Sequence, residues 1–209
     1  MKKYMLALGL SLLTVLGLFT GCSPKAETAS DSDSLKIVAT IFPEYDWVRQ
    51  VLGDRAGEVE LTLLLDSGTD LHSYQPTAAD MLTIGECDLF LYNGGESDAW
   101  VERVLATAAN PDRRTLSVME VLGDSVLEEE VVEGMQEAED HDHAEGEAHE
   151  EEADEHVWLS LRNARTACAE IARVLGELDP DHAAEYQANA ENYMAELEAL
   201  DGEYAALAE

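Results

Sequence analysis

The chain has 209 residues, enough for one ordinary domain or most of two small ones, and a formal net charge of -33. Hydrophobic residues make up 46%, which supplies a packed core and argues against wholesale disorder. So large an excess of acid argues against nucleic acid as a partner, because its phosphates would be repelled, and favours cations. The acid is unevenly spread, since 17 of the 45 acidic residues lie between Glu120 and Glu155.

The N-terminus predicts export and attachment to a membrane. Two lysines precede the apolar stretch 4–20, which suits the core of a signal peptide. A glycine and Cys22 follow and resemble a bacterial lipoprotein box. We therefore expect residues 1–21 to be a signal peptide, Cys22 to carry lipid and residues 22–34 to form a tether. The protein would then work outside the cytoplasmic membrane. An ordinary secretory signal with an incidental cysteine is the alternative.

Two further cysteines, Cys87 and Cys168, are far apart and form no CxxC pair, which excludes a zinc ribbon or a thioredoxin-type site. Their apolar surroundings favour buried thiols. A disulfide between them is allowed in an extracytoplasmic protein, and the sequence leaves that question open.

Strands alternate with helices up to residue 119. In chain order we expect a strand over 35–41, a helix from Pro43 to Gly53, a strand over 59–65, a helix capped by Thr77, a strand over 88–92, a helix over about 97–108 and a strand over 115–119. This alternation predicts an α/β fold with a mostly parallel sheet and helices on both faces. Ligands bind beyond the carboxyl ends of such strands, where His72 and Asn93 lie.

The pattern changes after residue 119. Residues 121–155, approximately, are rich in acid and histidine and carry too little apolar surface to offset the entropy of ordering, so we expect a mobile insert. From Ser160 the chain reads as helical. A first helix stops at Asp179, which precedes a proline, and a long second helix begins at about Asp181 and continues to the end of the sequence.

His72 and His156 are the candidate metal ligands, since imidazole is the commonest transition-metal ligand and both lie at the edge of the same layer. An exposed loop histidine and a structural histidine are the alternatives. The insert adds His141, His143 and His149, which with their flanking carboxylates would bind zinc weakly and exchange it fast. A solvated acidic loop with incidental histidines is the alternative there.

Four segments carry a resemblance to a known family. Residues 68–80 look like the first metal-ligand loop of the metal-specific solute-binding lipoproteins of bacterial ABC importers. Residues 93–100 are similar to the family's glycine turn and following Trp-bearing helix, and residues 154–160 resemble its second ligand segment. The stretch from Asp179 to Tyr204 is similar to the start of its long interdomain helix. An insert rich in histidine and acid just before the second ligand is a mark of the zinc members.

The resemblance implies an N-terminal α/β metal-binding lobe at 35–160, followed by a helical segment at 161–209 that includes the start of the interdomain helix. In that family a second α/β lobe follows and supplies a third histidine and a carboxylate. These 209 residues do not contain it, so we expect an incomplete carrier. The implied function is capture of Zn²⁺ through Nε2 of His72 and His156 and its delivery to an ABC permease, without enzymatic chemistry.

Three other functions remain open at this point. A manganese or iron carrier of the same family is the nearest, although hard ions prefer carboxylates and the histidine-rich insert favours zinc over Mn²⁺. A surface adhesin belongs to another class. A secreted zinc hydrolase would need a third ligand and a general base, yet the chain has no HExxH motif and only Glu155 adjoins a candidate ligand.

Overall fold

The computed structural model describes residues 34–66, 68–107, 109–128 and 153–208. Its strands are β1 (Lys36–Ala39), β2 (Glu60–Leu63), β3 (Leu89–Tyr92) and β4 (Arg114–Ser117). Its α-helices are α1 (Phe42–Leu52), α2 (Ala78–Glu86), α3 (Val101–Leu105), α4 (Val118–Leu122), α5 (Leu161–Leu178) and α6 (Ala183–Ala208). None of these helices is both long and apolar enough to cross a membrane. The expected signal peptide and Cys22 lie outside the described residues.

The four strands form one parallel sheet in the order β2-β1-β3-β4. Alternate side chains of the two central strands, β1 and β3, enter opposite cores, as the two-residue period of a strand requires. Ile37 packs with α1, α4, α5 and α6, whereas its neighbour Val38 packs on the other face with α2 and α3. The predicted α/β fold with helices on both faces is therefore confirmed. Both cores lie within the compact unit formed by residues 34–209.

Several helix starts follow from local hydrogen bonds. The Thr77 hydroxyl accepts the backbone N–H of Asp80 at 3.2 Å, and the Asp80 carboxylate accepts the N–H of Thr77 at 2.8 Å, which forms the expected capping box. Ser160 caps α5 with a single hydrogen bond, in which its hydroxyl accepts the N–H of Asn163. Ser117 begins α4 by accepting the N–H of Glu120, so β4 ends two residues earlier than predicted.

The helix predicted over 97–108 is shorter in the structure. The chain first makes a 3-10 turn, Glu96–Asp98, and only then enters α3. Gly94 and Gly95 both have positive φ angles, of 98° and 81°. The buried Asp98 carboxylate accepts the N–H of Gly94 at 2.8 Å, which closes this turn. The 3-10 turn that follows the two glycines therefore takes up the first residues of the predicted helix, and α3 begins only at Val101.

The two long C-terminal helices pack against each other, and the apolar stripe of α5, which includes Ala164, Cys168 and Ile171, is buried. Ion pairs join their exposed edges, including Arg165 to Glu198 at 3.1 Å. On α6, Tyr186 is buried. Further along, Tyr204 and Leu207 are 61% and 84% exposed, so the apolar positions of α6 are covered only in its first two-thirds.

Cys87 and Cys168 are both buried and both free. Burial raises the pKa of each thiol to about 12. The question that the sequence left open is therefore answered in favour of two protonated, buried thiols.

Residues 121–128 and 153–155, at the two ends of the predicted insert, belong to the described part of the chain, and they meet in space. Glu128 and Ala153 form an antiparallel bridge, and the N–H of Asp154 donates to the carbonyl of Leu127 at 2.8 Å. The chain thus returns from the insert beside the point where it left, directly before His156.

Candidate metal centre

His72 lies in a 3-10 turn, Leu71–Ser73, beyond the carboxyl end of β2. Its neighbours Leu71 and Tyr74 are buried, and the Tyr74 hydroxyl donates to the Asp80 carboxylate at 3.0 Å. The His72 side chain itself is half-exposed. The turn is thus anchored on both sides of the histidine, while the imidazole stays accessible.

His156 precedes a second 3-10 turn, Val157–Leu159, whose first residue is buried. Asp154 Oδ1 accepts both the backbone N–H of His156 and a hydrogen bond from its Nδ1, each at 2.8 Å. The pKa of Asp154 lies below its ordinary value, mainly because its carboxylate accepts the backbone N–H of His156 and to a smaller extent because it accepts a hydrogen bond from the His156 ring. The His156 ring also lies against Trp158, with 5.3 Å between the ring centroids. These contacts fix the second imidazole at the same edge of the sheet.

The structure brings His72 and His156 together. Their ring centroids are 5.4 Å apart, and the ring planes are inclined at 55°. A Zn–N bond of about 2.1 Å and a tetrahedral angle at the ion would place two imidazole centroids about 5 Å apart. Each Nδ1 is within hydrogen-bonding distance of a neighbouring side chain, whereas neither Nε2 bonds to the described residues. The pair therefore has the spacing and the free nitrogens of two ligands to one ion.

Residues that the sequence did not assign to the site hold the two histidines. His72 Nδ1 lies 3.0 Å from Ser97 Oγ and 3.7 Å from Glu155 Oε2. The Asn93 amide donates to the carbonyl of Glu155 at 2.9 Å, which ties the end of β3 to the second ligand segment. The sequence placed Asn93 at the ligand-binding edge and two acids, Asp154 and Glu155, directly before His156, but it indicated no contact of these residues with either imidazole. Nothing in the sequence distinguished Ser97 from other turn residues.

Two buried carboxyl groups stabilise the loops beneath this edge. Glu44 Oε2 accepts the N–H groups of Thr40 and Ile41 at 3.0 and 3.2 Å and the Thr40 hydroxyl at 2.8 Å. Burial raises the pKa of Glu44 to about 8, against the opposing effect of those hydrogen bonds, and the nearby Asp98 adds to the rise. Burial likewise raises the pKa of Asp98 to about 6.

A cavity of about 540 Å³ opens beside the two histidines. Its walls combine apolar and acidic side chains, among them Phe42, Leu65, Asp66, Asp70 and Trp158. Within residues 34–66, 68–107, 109–128 and 153–208, no group of three or more His, Cys, Asp or Glu side chains is arranged to hold a metal. This lobe therefore offers two imidazoles and room for solvent. The insert residues His141, His143 and His149 lie outside the described residues.

Comparison with known proteins identifies the family. Residues 37–209 match the family model "ZnuA: Zinc-uptake complex component A periplasmic". The zinc-binding lipoprotein AdcA of Streptococcus pneumoniae serotype 4 is 34% identical over 206 residues, which cover 98% of this chain and 38% of that protein. The manganese ABC transporter substrate-binding lipoprotein ScaA of Streptococcus gordonii is 30% identical over 198 residues, which cover 93% of this chain and 58% of ScaA.

Solved structures agree with the sequence matches. Zn(II)-bound AdcA from Streptococcus pneumoniae aligns with a TM-score of 0.63 and 29% identity, over 82% of this chain and 32% of AdcA. The Ni²⁺ complex of FpvC from Pseudomonas aeruginosa aligns with a TM-score of 0.63 and 28% identity, over 83% of this chain and 54% of FpvC. The chain thus spans between about a third and three-fifths of the proteins that it matches. It belongs to the family of zinc-uptake complex component A, which comprises substrate-binding proteins of metal ABC importers and not enzymes.

Proposed function

We propose that this chain captures Zn²⁺ outside the cytoplasmic membrane, as part of a carrier that delivers the ion to an ABC permease. The observation that carries the proposal is the pair of imidazoles of His72 and His156, 5.4 Å apart, each with Nδ1 engaged and with Nε2 making no hydrogen bond to the described residues. The zinc-binding relative AdcA supports the choice of metal.

The chemistry of this pair is capture and release. Nε2 of each histidine would bind the ion at about 2.0–2.1 Å, and water would complete a four-coordinate shell. Two neutral imidazoles suit a borderline ion such as Zn²⁺, and the adjacent cavity has room for bound water. Because protein ligands supply only half of the shell, we expect binding by this lobe to be weak and exchangeable.

Two further parts of the proposal concern residues outside the described ranges. Lipid on Cys22 would hold the carrier at the membrane that contains the permease. The acidic insert, with His141, His143 and His149, would raise the local cation concentration and supply the two-histidine site. Both parts rest on the sequence and on the lipoprotein relatives.

The direct test is isothermal titration of residues 23–209 with Zn²⁺, since this piece retains the whole compact unit. We expect weak binding that falls as the pH is lowered, because protonated imidazole cannot bind a metal. We expect the histidine pair to bind Zn²⁺ more tightly than the insert does. Changing both His72 and His156 to Ala should therefore remove most of the heat that comes from these tighter sites.

The matched control changes His141, His143 and His149 to Ala and leaves the pair intact. This variant should keep the tighter sites and lose only weak, rapidly exchanging binding. If the control loses the binding and the double variant keeps it, zinc is held by the insert and the proposal is wrong. Competition with Mn²⁺ in the same titration checks the metal, since ScaA is named for manganese. Stronger binding of Mn²⁺ than of Zn²⁺ would assign this chain to a manganese carrier.

A further inference from the structure

A series of hydrogen bonds runs from the His72 ring to the segment that carries His156. His72 Nδ1 lies 3.0 Å from Ser97 Oγ, and the Ser97 hydroxyl donates to Glu155 Oε2. The backbone N–H of Ser97 donates to Glu155 Oε1 at 2.9 Å. Both carboxylate oxygens are thus bound to Ser97. The Glu155 side chain is only 12% exposed, against 50% for His72, so the carboxylate end of the series is largely sheltered from solvent while the imidazole stays accessible.

We infer that Ser97 and Glu155 are positioning residues that hold His72 in the tautomer with its proton on Nδ1; the inference rests on the proposed binding of a divalent cation through Nε2. A carboxylate only accepts hydrogen bonds, so the single hydroxyl proton of Ser97 is directed to Glu155. The Ser97 oxygen can then only accept from His72, which requires a proton on Nδ1. A neutral imidazole protonated there keeps its lone pair on Nε2, the nitrogen that would bind the ion.

The arrangement differs from that of the second histidine. Asp154 accepts directly from Nδ1 of His156, two residues away on the same segment. Glu155, the next residue, reaches across to the glycine turn and acts on His72 through Ser97. Two consecutive acids therefore orient one imidazole each. Glu155 also links the segment that carries His156 to the ring of His72. A displacement of the His156 segment would therefore release the His72 ring.

The glycine turn makes room for this carboxylate. Gly95 has φ 81° and ψ -166°, a conformation that favours glycine. A Cβ atom placed on Gly95 would collide with the carboxylate of Glu155. The Asn93 amide, which is buried, also holds the backbone carbonyl of Glu155. The Glu155 side chain and its main chain are thus fixed by the same turn.

The test reads the tautomer of His72 in metal-free protein. Residues 23–209, labelled with ¹⁵N in histidine, are studied by long-range proton–nitrogen NMR at about pH 8.5, where ordinary imidazoles are neutral. Wild type should show His72 protonated on Nδ1. In Glu155→Gln, the new amide donates to Ser97 Oγ, so the serine proton turns to His72 Nδ1 and the ring shifts to the Nε2–H form. Ser97→Ala, which removes the link, should show a mixture.

Zinc titration of the same variants supplies the second readout. Glu155→Gln and Ser97→Ala should each weaken binding at the histidine pair about 10- to 100-fold, the usual effect of losing an outer-shell partner. The matched control is Asp154→Asn, which removes the same charge one residue away. It should change the signals of His156 and leave the His72 ring protonated on Nδ1.

The outcomes separate this inference from the proposed function. If His72 keeps its Nδ1 proton in Glu155→Gln, or lacks it in wild type, the positioning role is wrong even where zinc binds. If the tautomer changes as expected but wild type binds no zinc through the histidine pair, the hydrogen-bond series stands and the proposed function fails. A change of tautomer together with loss of zinc affinity supports both.

Discussion

Gly95 is the single residue whose lack of a side chain most directly shapes the site. Its backbone conformation lies in a region that is nearly restricted to glycine, and the Glu155 carboxylate occupies the space that a Cβ atom would need. The residue therefore affects both the stability of the turn and the placement of Glu155.

For Gly95→Ala we expect the free energy of unfolding to fall by about 1–3 kcal/mol, because of backbone strain and displacement of Glu155. Chemical denaturation measures the effect. Gly202→Ala is the control, since Gly202 lies in α6 and the added Cβ would meet no atom within 4 Å apart from the adjacent residues and backbone of its own helix. It should raise the free energy of unfolding by about 1 kcal/mol through helix propensity. Equal effects of the two substitutions would contradict the strain at Gly95.

At the scale of elements, the start of α1 depends on a buried acid. Glu44 accepts three hydrogen bonds at the N-terminus of the helix, and burial raises its pKa from 4.5 to about 8. The folded state therefore favours the protonated form more strongly than the unfolded state does. The resulting contribution to stability is complete below about pH 4.5 and is lost as the pH rises through about 8.

We therefore expect the free energy of unfolding of wild type to decrease from pH 6 to pH 8, and Glu44→Gln to flatten this slope. Asp98, whose pKa is raised from 3.8 to about 6 in the fold, lowers the free energy of unfolding mainly between those two pH values, below the pH interval of this slope. Denaturation at a series of pH values gives the slope. Glu102→Gln, which changes an exposed glutamate on α3, should retain the wild-type slope. An unchanged slope in Glu44→Gln would show that Glu44 is ionised in the fold.

The sequence predicted the elements of this lobe better than their contacts. Alternation and caps located the four strands and both long helices, since those signals are local. The rule that ligands bind at the carboxyl ends of strands located His72 at that edge of the sheet. His72 and His156 are far apart in the sequence, so the distance between their rings could not be predicted. Glu44 was missed because its burial depends on backbone N–H groups of the preceding loop, which the periodicity of α1 does not report. The ligand assignment itself stays a prediction until zinc is titrated.

At the scale of the whole molecule, charge is the dominant property. Without residues 1–21 the chain has 10 basic and 45 acidic residues, and repulsion among them opposes the compact state. Ion pairs such as Arg162 with Asp201 are exposed and contribute little. Salt should therefore stabilise this protein, because screening reduces a net repulsion.

We expect the thermal midpoint of residues 23–209 to rise by several degrees between about 0.01 M and 0.15 M NaCl, as the screening length falls from about 30 Å to about 8 Å. Scanning calorimetry in the presence of a chelator measures this without bound metal. A variant that lacks residues 129–152, which contain 12 of the acids, should show a smaller rise. A midpoint that falls with salt in both proteins would mean that attractive ion pairs outweigh the repulsion.

The bridge between Glu128 and Ala153 has a consequence for how this protein can vary. It joins the two described residues that flank 24 residues of sequence, so the register of the described strands does not depend on how many residues lie between Glu128 and Ala153. Doubling the length of a flexible closed loop costs only about 0.6 kcal/mol. Insertions, deletions and changes of composition can therefore accumulate there almost freely, and the same position would accept a grafted reporter beside His156.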